Sequence, residues 1–213
     1  MPFRQILGLG GYPDEAMASH LLGLARGSRV LFDTTASPQS DALPELDGFE
    51  LTALSFYPWP PAGLRELALA HDVIFVGGGN TANLLAVWRA HGFDAILREA
   101  WESGVLLCGW SAGMICWFEA CVTDSFGPQL AGMRDGLGFL SGSACPHYDG
   151  EGLRRPVYER LVREGFPAGI ALDDAAGAHF IGTDLHEVVA STATAVGYSV
   201  SAEGERMLDV RRL

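Results

Sequence analysis

The chain is predicted to be an α/β protein, with a mainly parallel sheet flanked by helices and extra strands in its C-terminal part. Three observations predict this. Apolar strand-like runs alternate with helical patterns through the first half of the chain. Two glycine-rich turns each follow such a run and precede a helical pattern, the arrangement of a ligand crevice beyond strand ends. Downstream of Cys121, short strand-like pieces follow one another with turn residues between them.

Residues 3–9 read as the first strand, and residues 15–25 as a helix with Met17, Leu21, Leu22 and Leu24 forming a stripe. A strand over 29–32 comes next. Residues 37–48 leave little room for a crossover helix, so that connection is expected to be a loop or a single turn. Strands over 51–54 and 72–76 precede a helix over 82–91, where Leu84, Leu85, Val87 and Trp88 have helical spacing before Gly92. A helix over 94–103 leads to a buried strand over 105–108, and residues 114–118 read as the start of another buried helix. Strands are then expected at 168–172, 178–181, 187–190, 196–200 and 207–210, with one clear helix at 157–164. No linker or repeat interrupts the chain, which points to a single domain over residues 1–213.

The charge balance excludes some functions. A net charge of −12 and a pI near 4.8 oppose nucleic-acid binding, whose phosphates need a basic face. Cys108, Cys116, Cys121 and Cys145 lack CxxC spacing and are expected to be free thiols in a reducing compartment. No signal-peptide pattern opens the chain, and the apolar run at 105–118 is interrupted and too short to span a bilayer. A soluble cytoplasmic protein without membrane partners is expected. No HExxH or comparable cluster calls for a metal.

Gly109-Trp110-Ser111-Ala112-Gly113 matches the G-x-S-x-G elbow, in which a serine hydroxyl is exposed on a sharp strand-to-helix turn. Such a serine attacks a carbonyl if a base removes its proton. The plain alternative is a capping serine in a tight turn. A second loop, Gly77-Gly78-Gly79-Asn80-Thr81, ends the 72–76 strand. A phosphate cradle of the P-loop kind needs a lysine, and the chain has none. The other glycine run, Gly8-Leu9-Gly10-Gly11-Tyr12-Pro13, has proline at the third fingerprint position, so no nucleotide cofactor is expected. Two readings remain: an oxyanion hole built from the N–H groups of Gly79 and Ala112, and a plain tight turn.

Of six histidines, His147 stands apart, because Cys145-Pro146 and Tyr148-Asp149-Gly150 place it in an irregular loop able to present an imidazole. Asp124, after the expected elbow helix, and Glu119, inside it, compete to orient that histidine.

Taken together, the glycine-asparagine loop, the serine elbow, Thr123-Asp124 and Pro146-His147 resemble the peptidase E family of serine dipeptidases, which includes the cyanophycinases. The likeness runs from about residue 72 to residue 201. It implies a sheet like that of class I glutamine amidotransferases, with serine at the elbow in place of cysteine. It further implies Ser111 as nucleophile, His147 as base, Asp124 as orienting acid, and Gly79 and Ala112 as oxyanion donors. Arg154 matches an arginine that pairs with the substrate aspartate, and Asn80 is placed with it among the substrate-binding residues. The compressed spacing after Ser111 keeps Glu119 as the alternative acid.

The resulting expectation is a cofactor-free serine exopeptidase acting on dipeptides or short peptides, with N-terminal aspartate as the candidate specificity. It is expected to be a homo-oligomer, a dimer or larger. The alternatives are a cyanophycinase-like hydrolase of β-aspartyl-arginine peptides and a catalytically silent binding protein on the same fold.

Overall fold

A computed structural model describes residues 3–38 and 47–213. The expectation for 37–48 therefore lies largely outside the described residues. The first half runs β1 (Gln5–Leu9), α1 (Glu15–Leu24), β2 (Arg29–Asp33), β3 (Glu50–Leu54), α2 (Leu64–Leu69), β4 (Val73–Val76), α3 (Thr81–Ala90), α4 (Phe93–Glu102), β5 (Leu106–Trp110) and a single turn, α5 (Ala112–Ile115). The second half runs β6 (Phe118–Thr123), β7 (Ala131–Met133), β8 (Leu140–Cys145), α6 (Arg154–Arg163), β9 (Gly169–Leu172), β10 (Ala176–Ile181), β11 (Asp184–Ala190), β12 (Gly197–Ser201), β13 (Gly204–Met207) and β14 (Val210–Arg212).

The large sheet has the order β14-β11-β10-β1-β5-β4-β2-β3, and its β1, β5, β4, β2 and β3 are parallel. Strand β10 joins it antiparallel against β1. Alternation along each central strand divides the side chains between two cores. Ile6, Ile74, Val76 and Leu107 face α3 and α4 with the buried Trp88 and Trp101. Leu7, Leu9, Val73 and Phe75 face Met17 and Leu21 of α1 on the other side. Helix α1 starts where Asp14 Oδ1 accepts the Met17 amide at 3.0 Å, and α3 starts where Asn80 Oδ1 accepts the Asn83 amide at 2.9 Å.

The later strands do more than extend this sheet. Six of them form a second sheet, β13-β12-β9-β8-β6-β7, with α6 packed on it through Tyr158 and Val162. The expected helix at 114–118 corresponds to only one turn, after which Phe118 and Glu119 enter β6. Leu137 and Leu140 amides donate to the Cys116 and Trp117 carbonyls at 2.9 and 3.0 Å, which turns the chain into the second sheet. No helix among the described residues is long and apolar enough to cross a membrane. All four cysteines are buried and unpaired, and burial pushes the Cys121 and Cys145 thiols up to about 12.

One buried group links the fold to pH. His179 in β10 is 3% exposed, and its Nε2 shares a 2.9 Å hydrogen bond with Gln5 Oε1. Its Nδ1 has no hydrogen-bond partner among the described residues and lies 3.8 Å from Glu187 Oε1, and burial, outweighing that carboxylate, lowers its pKa to about 4. The unfolded imidazole titrates near about 6.5, so folding favours the neutral ring. That contribution is complete above this pH and is lost as pH falls toward 4. Buried Asp33 and Asp173, both raised to about 6 by burial, act with the opposite sign, since acid relieves their buried charge. A variant comparison isolates the histidine. Between about pH 7 and 4.5, wild type should lose on the order of 2 kcal/mol more stability in urea titrations than His179→Gln. Parallel losses would show that the buried ring is not the source.

Candidate active site

Ser111 sits at the carboxyl end of β5 with φ 54 and ψ −115, a conformation that non-glycine residues rarely adopt. The turn fits only because its flanks lack side chains. A Cβ on Gly113 would lie 2.1 Å from the Val76 carbonyl oxygen, and one on Gly109 would lie 2.5 Å from it. The Ser111 amide donates to Leu9 O at 3.2 Å, which fixes the elbow on the end of β1.

His147 follows β8, and its amide donates to Gly10 O at 3.2 Å, one residue beyond the Ser111 anchor. Because these anchors are successive peptide units, the two backbones approach within about 10 Å of each other. His147 also has positive φ, at 52. Its Nδ1 is 2.6 Å from Asp174 Oδ1. With a proton on Nδ1 shared with that carboxylate, Nε2 is left as an acceptor. No hydrogen bond joins the Ser111 and His147 side chains among the described residues.

The acid on His147 is thus Asp174, rather than Asp124 or Glu119. Strand β6 runs parallel to β8, which leads to His147, and Asp124 follows β6 with its side chain exposed. Glu119 is also exposed, and its Oε2 accepts the Gly142 amide at 2.8 Å. Neither is hydrogen-bonded to His147 among the described residues. Asp174 lies in the turn between β9 and β10, where its own amide donates to Asp149 Oδ1 at 2.8 Å.

This placement explains the first glycine run. A Cβ on Gly11 would fall 2.3 Å from Asp174 Oδ1, and one on Gly150 would fall 2.2 Å from Oδ2. Glycines here make room for a carboxylate. The signal available in the sequence was Asp173-Asp174 at the end of a predicted strand, the place where site residues of α/β sheets collect.

The 77–80 loop passes beside the elbow, since a Cβ on Gly78 would lie 3.3 Å from Ser111 Cβ. Gly77 N donates to Asp33 O at 3.0 Å and Asn80 N to Ala36 O at 2.8 Å, whereas the Gly78 and Gly79 amides meet no backbone carbonyl among the described residues. The Ala112 amide opens α5 and is one of the donors a helix start leaves free. The structure therefore brings Ser111, His147, Ala112 and the Gly78-Gly79 segment to the same end of the sheet.

Two other expected residues are engaged inside the protein. Asn80 caps α3 with Oδ1, and its Nδ2 donates to Ser125 O at 2.9 Å. Arg154 is 4% exposed. Its Nε donates to Glu151 Oε2 at 2.8 Å and its Nη1 to Val122 O at 3.2 Å. Beside the elbow, Trp110 stacks on Phe32 and meets the exposed Tyr12 edge-on at 5.0 Å.

Residues 32–188 match the family model described as peptidase family S51. The chain belongs to peptidase family S51. It is a serine peptidase by that membership. A Bacillus subtilis (strain 168) protein called uncharacterized peptidase YgaJ is 43% identical over 214 residues, which is 92% of each chain. Among solved structures, a peptidase from an acI-B1 Actinobacterium aligns with TM-score 0.71 at 18% identity, over 98% of this chain and 95% of that one. A peptidase E-type protein from Listeria monocytogenes EGD-e aligns with TM-score 0.65 at 17% identity, over 97% and 100%. At these identities the two structures speak for the fold.

Proposed function

We propose that this S51 peptidase is a serine exopeptidase acting on dipeptides or short peptides through Ser111, His147 and Asp174. The observation that carries the reading is the short His147–Asp174 hydrogen bond next to the strained serine elbow. In this mechanism Nε2 of His147 takes the proton from Ser111 Oγ as the oxygen adds to the peptide carbonyl. Donors from the Gly78-Gly79 segment and Ala112 receive the developing oxyanion. The imidazolium, held by Asp174, then protonates the leaving amine, and an acyl-enzyme remains. Water repeats the sequence and releases the acid.

Substrate choice departs from the resemblance. Arg154 is buried and committed to Glu151 and Val122, which removes the cation expected to select an N-terminal aspartate. Tyr12 and Trp110 supply an aromatic wall near the nucleophile, so a neutral first residue fits better than an acidic one.

A fluorophosphonate probe together with Asp-Leu, Ala-Leu and β-Asp-Arg tests the reading. Ser111 should be labelled, and Ala-Leu should be cleaved at least as fast as Asp-Leu. A strong preference for β-Asp-Arg would favour the cyanophycinase-like alternative. Absence of labelling and of all hydrolysis would leave a silent binding protein.

A further inference from the structure

Asp33 ends β2 inside the protein, with no exposed surface. No cation among the described residues acts on it, and an isolated carboxylate in such a place is costly. Both of its oxygens are used. Oδ1 accepts the Thr35 amide at 2.7 Å, and Oδ2 accepts Trp88 Nε1 at 2.8 Å. The first bond shapes the turn after β2, which closes as the Ser37 amide donates to Thr34 O at 2.9 Å. The second reaches α3, the helix that starts directly after the 77–80 loop.

That turn is what the loop hangs from. The Asp33 and Ala36 carbonyls hold Gly77 and Asn80 respectively, the two ends of the loop. Gly79, at φ 140, lies so close that a Cβ there would be 2.2 Å from Ala36 O. Between the anchors, the Gly78 and Gly79 amides meet no backbone acceptor among the described residues, and they lie beside Ser111. We propose that Asp33 is a positioning residue, whose carboxylate locks the 33–37 turn and α3 together and thereby aims the oxyanion-hole amides at the nucleophile. The inference rests on the oxyanion role given to this loop above. Burial pushes the Asp33 carboxyl up to about 6, which leaves it mainly ionised at neutral pH and able to accept from both donors. Asparagine would present its NH2 group to one of two N–H donors, so one of the two ties would be lost.

The test compares wild type, Asp33→Asn and Ser111→Ala by melting, by rate of labelling with a fluorophosphonate, and by kinetics on Ala-Leu. Asp33→Asn should label about tenfold to a hundredfold more slowly and lose kcat by the same factor, with KM little changed. A merely structural role would lower the melting temperature and leave kcat per folded molecule unchanged. Wild-type rates in folded Asp33→Asn would overturn the inference and leave the serine mechanism standing. Failure of wild type itself to label would remove both. If Asp33→Asn does not fold, Trp88→Phe removes one donor and keeps the carboxylate. A labelling rate reduced about threefold or more supports the lock, and an unchanged rate overturns it.

Discussion

Ser111→Ala is expected to fold and melt like wild type while its turnover falls by roughly four to six orders of magnitude. The reason lies in what the substitution leaves alone. Alanine carries the same Cβ as serine, so the strain at φ 54 is unchanged, and the amide keeps its bond to Leu9 O. Only the oxygen proposed to attack the carbonyl is removed. If Ser111, His147 and Asp174 act as the unit proposed, a second substitution in the set should add little. Labelling by a fluorophosphonate should disappear along with hydrolysis. A variant that still cleaved Ala-Leu near the parent rate would end the nucleophile assignment, and with it the acyl-enzyme.

Asp174→Asn should cost about a thousandfold to ten-thousandfold in kcat, because an amide can present its NH2 group to Nδ1 and force the proton onto Nε2, where it blocks the base. The effect on stability should be small, since the Asp174 side chain is 48% exposed. Asp124→Asn and Glu119→Gln serve as the contrast. Neither carboxylate is bonded to His147 among the described residues, so each should stay within about threefold of the parent. Gly150→Ala extends the argument from charge to space: its new methyl would crowd Asp174 Oδ2 from 2.2 Å and should lower kcat through displacement of the acid. Loss of activity in Asp124→Asn with retention in Asp174→Asn would reverse the assignment.

The legible parts of the chain were those written locally. Alternating apolar runs gave β1, β2, β4 and β5 with their helices, because strand and helix periods are properties of neighbouring residues. The elbow was legible for the same reason, since its glycines answer to a turn five residues long. His147 stood out by its irregular flanking loop. The elbow helix was overread: Met114 to Phe118 are apolar in any conformation, and pairing with β8 drew Phe118 into a strand. The same ambiguity hid the second sheet. Strand β8 carries Gly142 and two serines in Leu140–Cys145, a composition that does not announce a strand without its partners β6 and β9.

The central strand segments, the serine elbow and the loop of His147 were legible in the sequence because each carries its signature in neighbouring residue types, although their pairing and anchoring are long-range. Tertiary structure alone decided which acid meets that histidine and whether the arginine is free. Asp174 is 27 residues from His147 and reaches it only because β9 enters beside β8. Arg154 is withdrawn from solvent by a carbonyl 32 residues away. A hydrogen bond between distant segments is fixed by how strands stack, and nothing in the spacing of residue types along the chain encodes that stacking.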